Sequence, residues 1–188
     1  MKEIHIIAGP NGSGKTTVGV ELIKGYGLPF LNADDIAYEL SENGSVEKVR
    51  IKAGKIFLKE IKKYAGEGKS FAIETTLAGK YITRVIELLK KSGYKIILNY
   101  IFVDNPEIAI NRIKIRVRKG GHFISNEDVI RRFSRSKKNF WNIYKKTADN
   151  WSLFYNGEDK FIQVATGEGE NYKIVDDESF DLFKEDLK

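Results

Sequence analysis

The chain has 188 residues, 41% of them hydrophobic and 31% charged, with a formal net charge of +6; this is the balance of one globular domain, residues 1–188, long enough to bury a core without staples. There is no cysteine, which excludes disulfides, thiolate metal sites and cysteine nucleophiles. No apolar run approaches the roughly 18 residues of a membrane helix, and Met1-Lys2-Glu3 passes straight into apolar sequence, so a cytoplasmic protein with no signal peptide or membrane segment is expected.

In chain order, Ile4-His5-Ile6-Ile7-Ala8 reads as a buried parallel strand. Gly9-Pro10-Asn11-Gly12-Ser13-Gly14-Lys15-Thr16-Thr17 follows, and 18–24 reads as a helix. Pro29-Phe30-Leu31 is a short strand running into Asn32-Ala33-Asp34-Asp35, and 34–42 is a short helix with an acidic first turn, broken by Asn43-Gly44-Ser45. Residues 46–65 repeat apolar positions at helical spacing, with lysines on the outer face. Residues 70–73 form a strand that ends at Glu74-Thr75-Thr76, and 80–92 form a helix. Residues 94–103 give the strongest strand pattern, and it ends at Asp104. Asn105-Pro106 opens a helix over 106–118. Lys119-Gly120-Gly121-His122 interrupts, and a second helix runs from Asn126 towards Asp149. Strands are expected at 151–155, 161–165 and 172–175, the last two pairing around Gly167-Glu168-Gly169, before an acidic amphipathic helix. Alternating strands and helices predict an α/β fold: three layers around a mainly parallel sheet.

The segment Gly9 to Thr17 satisfies the phosphate-loop pattern G-x-x-x-x-G-K-[ST] at every required position, between a strand and a helix. Its glycines let backbone N–H groups converge on one concavity, and the helix N-terminus adds partial positive charge. Lys15 is expected to reach the β- and γ-phosphates of ATP, and the Thr16 hydroxyl to ligate Mg²⁺.

Ligands of open α/β sheets bind outside the carboxyl ends of the strands. Asp34-Asp35, Glu74-Thr75-Thr76 and Asp104 all fall there, beside the loop. Asp34 is read as a general base that orients an attacking hydroxyl, and Asp35 as the helix cap. Glu74 is read as holding a substrate hydroxyl or a water on Mg²⁺. Asp104 is either a metal acid or a plain turn and helix start.

From Asp104 to Lys146 there are twelve basic and four acidic residues, a local +8, while 168–188 carries a local −5. Arg112 and Arg116 share a helix face at i,i+4, and Arg131, Arg132 and Arg135 lie on the next helix. With Gly120-Gly121 as a joint, residues 112–136 read as a lid closing over phosphates, with Arg116 and Arg132 acting on the transferred group and His122 contacting phosphate or capping the joint. A solvated basic face, or a nucleic-acid surface, would carry the same charge. Against the latter, few aromatics interleave the block.

Gly9 to Thr17, Leu31-Asn-Ala-Asp-Asp-Ile-Ala37, Ala72-Ile-Glu-Thr-Thr-Leu77, Arg116-Val-Arg-Lys-Gly-Gly-His122 and Arg131-Arg-Phe-Ser-Arg-Ser136 together resemble the zeta-toxin-like family of P-loop kinases. The likeness covers roughly 4–156, and the Gly-Gly-His segment resembles a sub-branch described as predicted ATPases. The resemblance implies a toxin–antitoxin setting with an antitoxin partner, and transfer from ATP, with Mg²⁺, to the sugar 3′-hydroxyl of UDP-N-acetylglucosamine. It also implies Lys15 and Thr16 on nucleotide and metal, Asp34 as base, Glu74 and Thr76 near the sugar, and lid arginines around Arg116 and the Gly-Gly-His segment. An ABC-type ATPase is disfavoured, because no Leu-Ser-Gly-Gly-Gln-like signature is present.

Overall fold

The computed structural model describes residues 1–41, 46–121, 123–185 and 187, and the side chains of these except 22, 24 and 46–48. Among them, seven strands form one sheet: β1 (Lys2–Ala8), β2 (Phe30–Asn32), β3 (Phe71–Thr75), β4 (Tyr94–Phe102), β5 (Asn150–Asn156), β6 (Phe161–Glu168) and β7 (Asn171–Ile174), in the order β2-β3-β1-β4-β5-β6-β7. The first five are parallel; β6 and β7 add an antiparallel edge. The helices are α1 (Lys15–Lys24), α2 (Ala33–Glu39), α3 (Val46–Gly66), α4 (Tyr81–Lys91), α5 (Pro106–Arg118), α6 (Asn126–Asn139), α7 (Lys145–Thr147) and α8 (Asp177–Glu185). Between α6 and α7 lies a π-helical stretch, Phe140–Tyr144.

Strand alternation sorts β1 residues to the two faces of the sheet. Ile4, Ile6 and Ala8 join the larger core with Phe57 and Ile61 of α3, Ile82, Ile86 and Leu89 of α4, and Phe180 and Phe183 of α8. Ile7 faces the other way and packs with Ile101, Ala72 and Ile23 of α1. Helices thus cover both faces, as near-continuous apolar strands require. The α5–α6 hairpin has a small core of its own, built from Val103, Ala109, Ile113, Val129 and Phe133.

Most expected elements are present within a residue or two. The helix expected to run unbroken from Asn126 towards Asp149 instead carries the π stretch. The expected break at Asn43-Gly44-Ser45 lies outside the described residues. The expected cap role of Asp35 is corrected: α2 is capped by Asn32, whose side-chain Oδ1 accepts from the Asp34 N–H at 2.9 Å. Asp34 and Asp35 both lie in the helix's first turn. The chain has no described helix long and apolar enough to cross a membrane.

Candidate active site

The carboxyl ends of β1, β2 and β3, with α5, surround a cleft of about 670 Å³. Its walls include Asn11, Gly12, Gly14, Lys15, Thr16 and Thr17 from the loop, Asp34, Asp35 and Tyr38 from α2, Glu74 from β3, and Arg112, Arg116, Gly120 and Gly121 from the arginine hairpin. Four segments far apart in sequence therefore meet at one crevice, where the parallel order places it.

The loop turns through Gly9, Gly12 and Gly14, all at positive φ. Ser13 N donates to the Pro10 carbonyl at 3.2 Å, and Val18 N to the Gly14 carbonyl at 3.0 Å. The first-turn N–H groups of α1 precede any intrahelical partner and belong to Lys15, Thr16 and Thr17, which line the cleft. A Cβ at Gly14 would sit 2.3 Å from Asn156 Nδ2. That amide, at the end of β5, donates to the Ser13 carbonyl at 2.8 Å and props the loop from behind.

Lys15 is buried at 6% exposure; its Nζ donates to the Pro10 carbonyl at 3.0 Å and lies 3.8 Å from Glu74 Oε1, an ion pair too long for a hydrogen bond. Thr16 Oγ1 donates to Glu74 Oε2 at 2.8 Å. Burial lowers the Lys15 pKa and raises that of Glu74, and the opposite charge of each partner works against both shifts. The Asp34 carboxylate acts electrostatically on Lys15, Glu74, Arg132 and Tyr81, and Asp34 lines the cleft with the first two.

The two candidate acids that end strands beside β1 have different fates. Glu74 faces the loop. Asp104 accepts from the Tyr155 hydroxyl at 2.7 Å and is not among the cleft residues. Burial, then Asp104, pushes the Tyr155 phenol up to about 12. Asp104 therefore serves as a structural acceptor, and the carboxylate beside the loop threonine is Glu74.

The arginines also divide. Arg112 and Arg116 line the cleft, and the positive charge of Arg116 is felt at Lys15. Arg112 donates to the Gly157 carbonyl at 2.7 Å, linking α5 to the turn after β5. Asp128 binds Arg132 at 2.8 Å and Arg131 at 2.5 Å, and Arg132 lies outside the cleft lining with Asp34 in electrostatic range. Gly120 turns at φ 88, and a Cβ at Gly121 would fall 2.6 Å from Arg116 Cγ. The glycine pair thus has a static purpose: it lets the chain turn and the Arg116 stem pass. Thr76 lies outside the cleft lining, with its Oγ1 accepting from Ala78 N at 3.4 Å. His122 lies outside the described residues. Gly9, Pro10 and Ser13 form the back of the loop and not its cleft wall.

Asn32, Tyr38 and Asn156 were not singled out from sequence. The rule that flagged Glu74, polar residues at the carboxyl ends of strands, would have flagged Asn32 and Asn156 too.

The zeta toxin family model matches residues 30–163. The chain belongs to the zeta toxin family. This member is 33% identical over 133 residues to an uncharacterised protein of Haemophilus influenzae, across 65% of this chain and 86% of that one. It is 26% identical over 156 residues to the cytidylate kinase of Archaeoglobus fulgidus, across 79% of this chain and 80% of the kinase. The solved AvrRxo1-ORF1:AvrRxo1-ORF2 complex with sulphate ions matches at a TM-score of 0.80 and 20% identity, over 100% of this chain and 65% of that chain. The same complex with ATP matches at 0.74. The chain thus spans just under two thirds of the length of that neighbour. A structure of the PezAT chromosomal toxin–antitoxin system of Streptococcus pneumoniae matches at 0.71 and 21% identity, over 98% of this chain and 78% of that one. At these identities the structural likeness shows the fold alone, a layered α/β P-loop fold.

Proposed function

We propose that the protein is an ATP-dependent kinase that transfers the γ-phosphoryl group to a hydroxyl of a small molecule, with UDP-N-acetylglucosamine or a related nucleotide sugar as the acceptor. The observation that carries this reading is the placement of Asp34 and Glu74 on the same cleft as the phosphate loop. An acid beside Thr16 also suits a loop that only hydrolyses nucleotide, so it is Asp34, reaching the cleft from α2, that points to a second substrate. The family match and the ATP-bound AvrRxo1 complex support ATP as donor.

The residues present fit a nucleotide and Mg²⁺. Asn11 is buried and lines the cleft, and its Oδ1 has no hydrogen-bond partner among the described residues. Its amide can present a donor or an acceptor to a bound group. Among the described residues no three His, Asp or Glu are grouped so as to hold a metal ion by themselves; a magnesium ion here would be held through phosphate oxygens, waters and one or two protein oxygens. Thr16 would supply the hydroxyl, with Glu74 oriented against it. Mg²⁺ would neutralise charge on the phosphates.

On this reading Lys15 and the loop amides hold the donor phosphates. Asp34 orients the acceptor hydroxyl and takes its proton. Arg116 and Arg112 approach from the opposite wall, and guanidinium groups there stabilise charge on the transferred group. Residues 112–136 act as a lid on one 1–188 unit, with Arg132 joining the site only if the lid closes, and Thr76 lies on the acceptor side. An antitoxin protein is the partner that the PezAT likeness supports.

The test is to incubate the protein with γ-labelled ATP, Mg²⁺ and a panel of nucleotide sugars, nucleosides and RNA, then identify the labelled product by mass. The expected result is one labelled nucleotide sugar. Label appearing solely as free phosphate sinks the kinase reading in favour of an ATPase, and label on RNA in favour of a nucleic-acid enzyme. Asn156→Ala is expected to weaken ATP binding about tenfold in calorimetric titration, because the Ser13 carbonyl loses its prop. Unchanged affinity would show that the loop holds its shape alone.

A further inference from the structure

The turn that leaves the Glu74 strand is held from one side by a single helical element. Ser136 Oγ bonds the Thr76 carbonyl at 2.5 Å, Asn139 Nδ2 donates to the Leu77 carbonyl at 2.7 Å, and Tyr144 OH donates to the Gly79 carbonyl at 2.7 Å. Ser136 is in turn bonded to Tyr100 OH of β4 at 2.7 Å. Three carbonyls of one four-residue turn are therefore gripped by three side chains of α6 and its π extension.

Their spacing is not that of an α-helix. At about 100° per residue, Tyr144 would stand about 80° to one side of Ser136 while Asn139 stands about 60° to the other. The π stretch closes on an i→i−5 bond, Lys145 N to the Phe140 carbonyl, and absorbs one extra residue. That slip carries Tyr144 back by about one residue, to a position between Ser136 and Asn139. The π stretch is what brings the third hydroxyl onto the turn.

The gripped turn is itself held in an uncommon conformation. Leu77 has φ +52 with its side chain buried at 1% exposure. A residue with a Cβ keeps that conformation where its surroundings over-determine it, and such residues gather at ligand sites. Leu77 N donates to Thr75 Oγ1 at 3.2 Å, so the turn is bonded at both its donors and its acceptors. The segment it fixes is Glu74-Thr75-Thr76, whose acid meets Thr16.

We propose that Ser136, Asn139 and Tyr144 form a clamp that sets the position of Glu74 to Thr76 for the acceptor, so that these three are positioning residues of the transfer reaction. The proposal rests on the kinase reading above for its acceptor half, while the clamp half stands on geometry alone. It also fixes where a lid ends: helix α6 is bolted to the turn after β3 from Ser136 onwards, so lid movement is confined to the part of the hairpin before it.

The experiment compares wild type with Tyr144→Phe, which deletes one hydroxyl and keeps the ring, and with Asn139→Ala. Amide hydrogen exchange by NMR is read at Leu77 and Ala78 and at the Gly9–Thr17 loop. Steady-state transfer from ATP to UDP-N-acetylglucosamine gives both KM values. The expected result is exchange at Leu77 and Ala78 faster by about tenfold, and a KM for UDP-N-acetylglucosamine raised about tenfold with a smaller rise in the KM for ATP, because Glu74 also meets Thr16. Unchanged exchange in both variants overturns the clamp. Faster exchange with the KM for UDP-N-acetylglucosamine unchanged, or with the KM for ATP raised more than it, overturns the positioning role. A wild type that leaves UDP-N-acetylglucosamine unlabelled overturns the acceptor assignment instead; the exchange measurement, which needs no acceptor, still decides the clamp.

Discussion

Lys15→Ala is expected to lower phosphoryl transfer by about a thousandfold, the scale of removing a preorganised donor aimed at the charge that develops in the transition state. Lys15 is buried at 6% exposure, and its Nζ is held by the Pro10 carbonyl at 3.0 Å, so the cation is poised at the loop before any ligand arrives. Nothing else in the loop carries a full positive charge. The same change leaves Glu74 buried without the counter-charge 3.8 Å away. Burial already raises the Glu74 pKa, and Lys15 opposes that rise. Without Lys15 the folded-state value climbs further above the unfolded one. A raised acid contributes stability below its unfolded pKa and loses it as pH rises through the folded value. The variant is therefore expected to lose stability relative to wild type on going from acid towards neutral pH. Transfer from labelled ATP and denaturant midpoints across that range check both halves. Transfer within tenfold of wild type would remove Lys15 from the proposed mechanism.

Asp34→Asn is expected to cost about a thousandfold in transfer, within the range for a lost general base, while ATP affinity stays within about twofold. The substitution is nearly isosteric. It also leaves the fold of α2 alone, because the helix cap uses the backbone N–H of residue 34 and the side chain of Asn32. The loss is thereby confined to the carboxylate, which lies in electrostatic contact with Lys15, Glu74 and Arg132. Stopped-flow single turnover separates the chemical step from binding. A variant that lost ATP binding and kept full transfer at saturating ATP would assign Asp34 to the donor, not the acceptor.

Much of this molecule is legible along the chain because its signals are local. Strand β1, the glycine turn and α1 are contiguous, so loop geometry follows from nine residues and their flanks. The apolar periods that mark α3, α4 and β4 are likewise properties of short windows. The rule that ligands gather at strand carboxyl ends singles out Asp34 and Glu74 from element order alone, and both line the cleft. The same rule made Glu74 and Asp104 equivalent. They end the two strands that flank β1, and only packing separates them: Tyr155, 51 positions after Asp104, takes one, and Thr16, 58 positions before Glu74, takes the other.

The arginines show the same division. Helical spacing put Arg112 and Arg116 on one face, and both line the cleft. Spacing also put Asp128 four residues before Arg132, a pair that binds locally, and this local bond holds Arg132 where it stands outside the lining. The π stretch left no periodic trace in sequence, since one absorbed residue changes phase only over the next turn. The residues by themselves determined that a phosphate loop, an acidic second wall and an arginine hairpin exist in one α/β sheet. Only the tertiary structure decided which acid meets Thr16, where Arg112 is anchored and which side chains hold the Thr76 turn, because Glu74 with Thr16, Arg112 with Gly157 and Ser136 with Thr76 join groups dozens of residues apart and leave no mark on the local pattern.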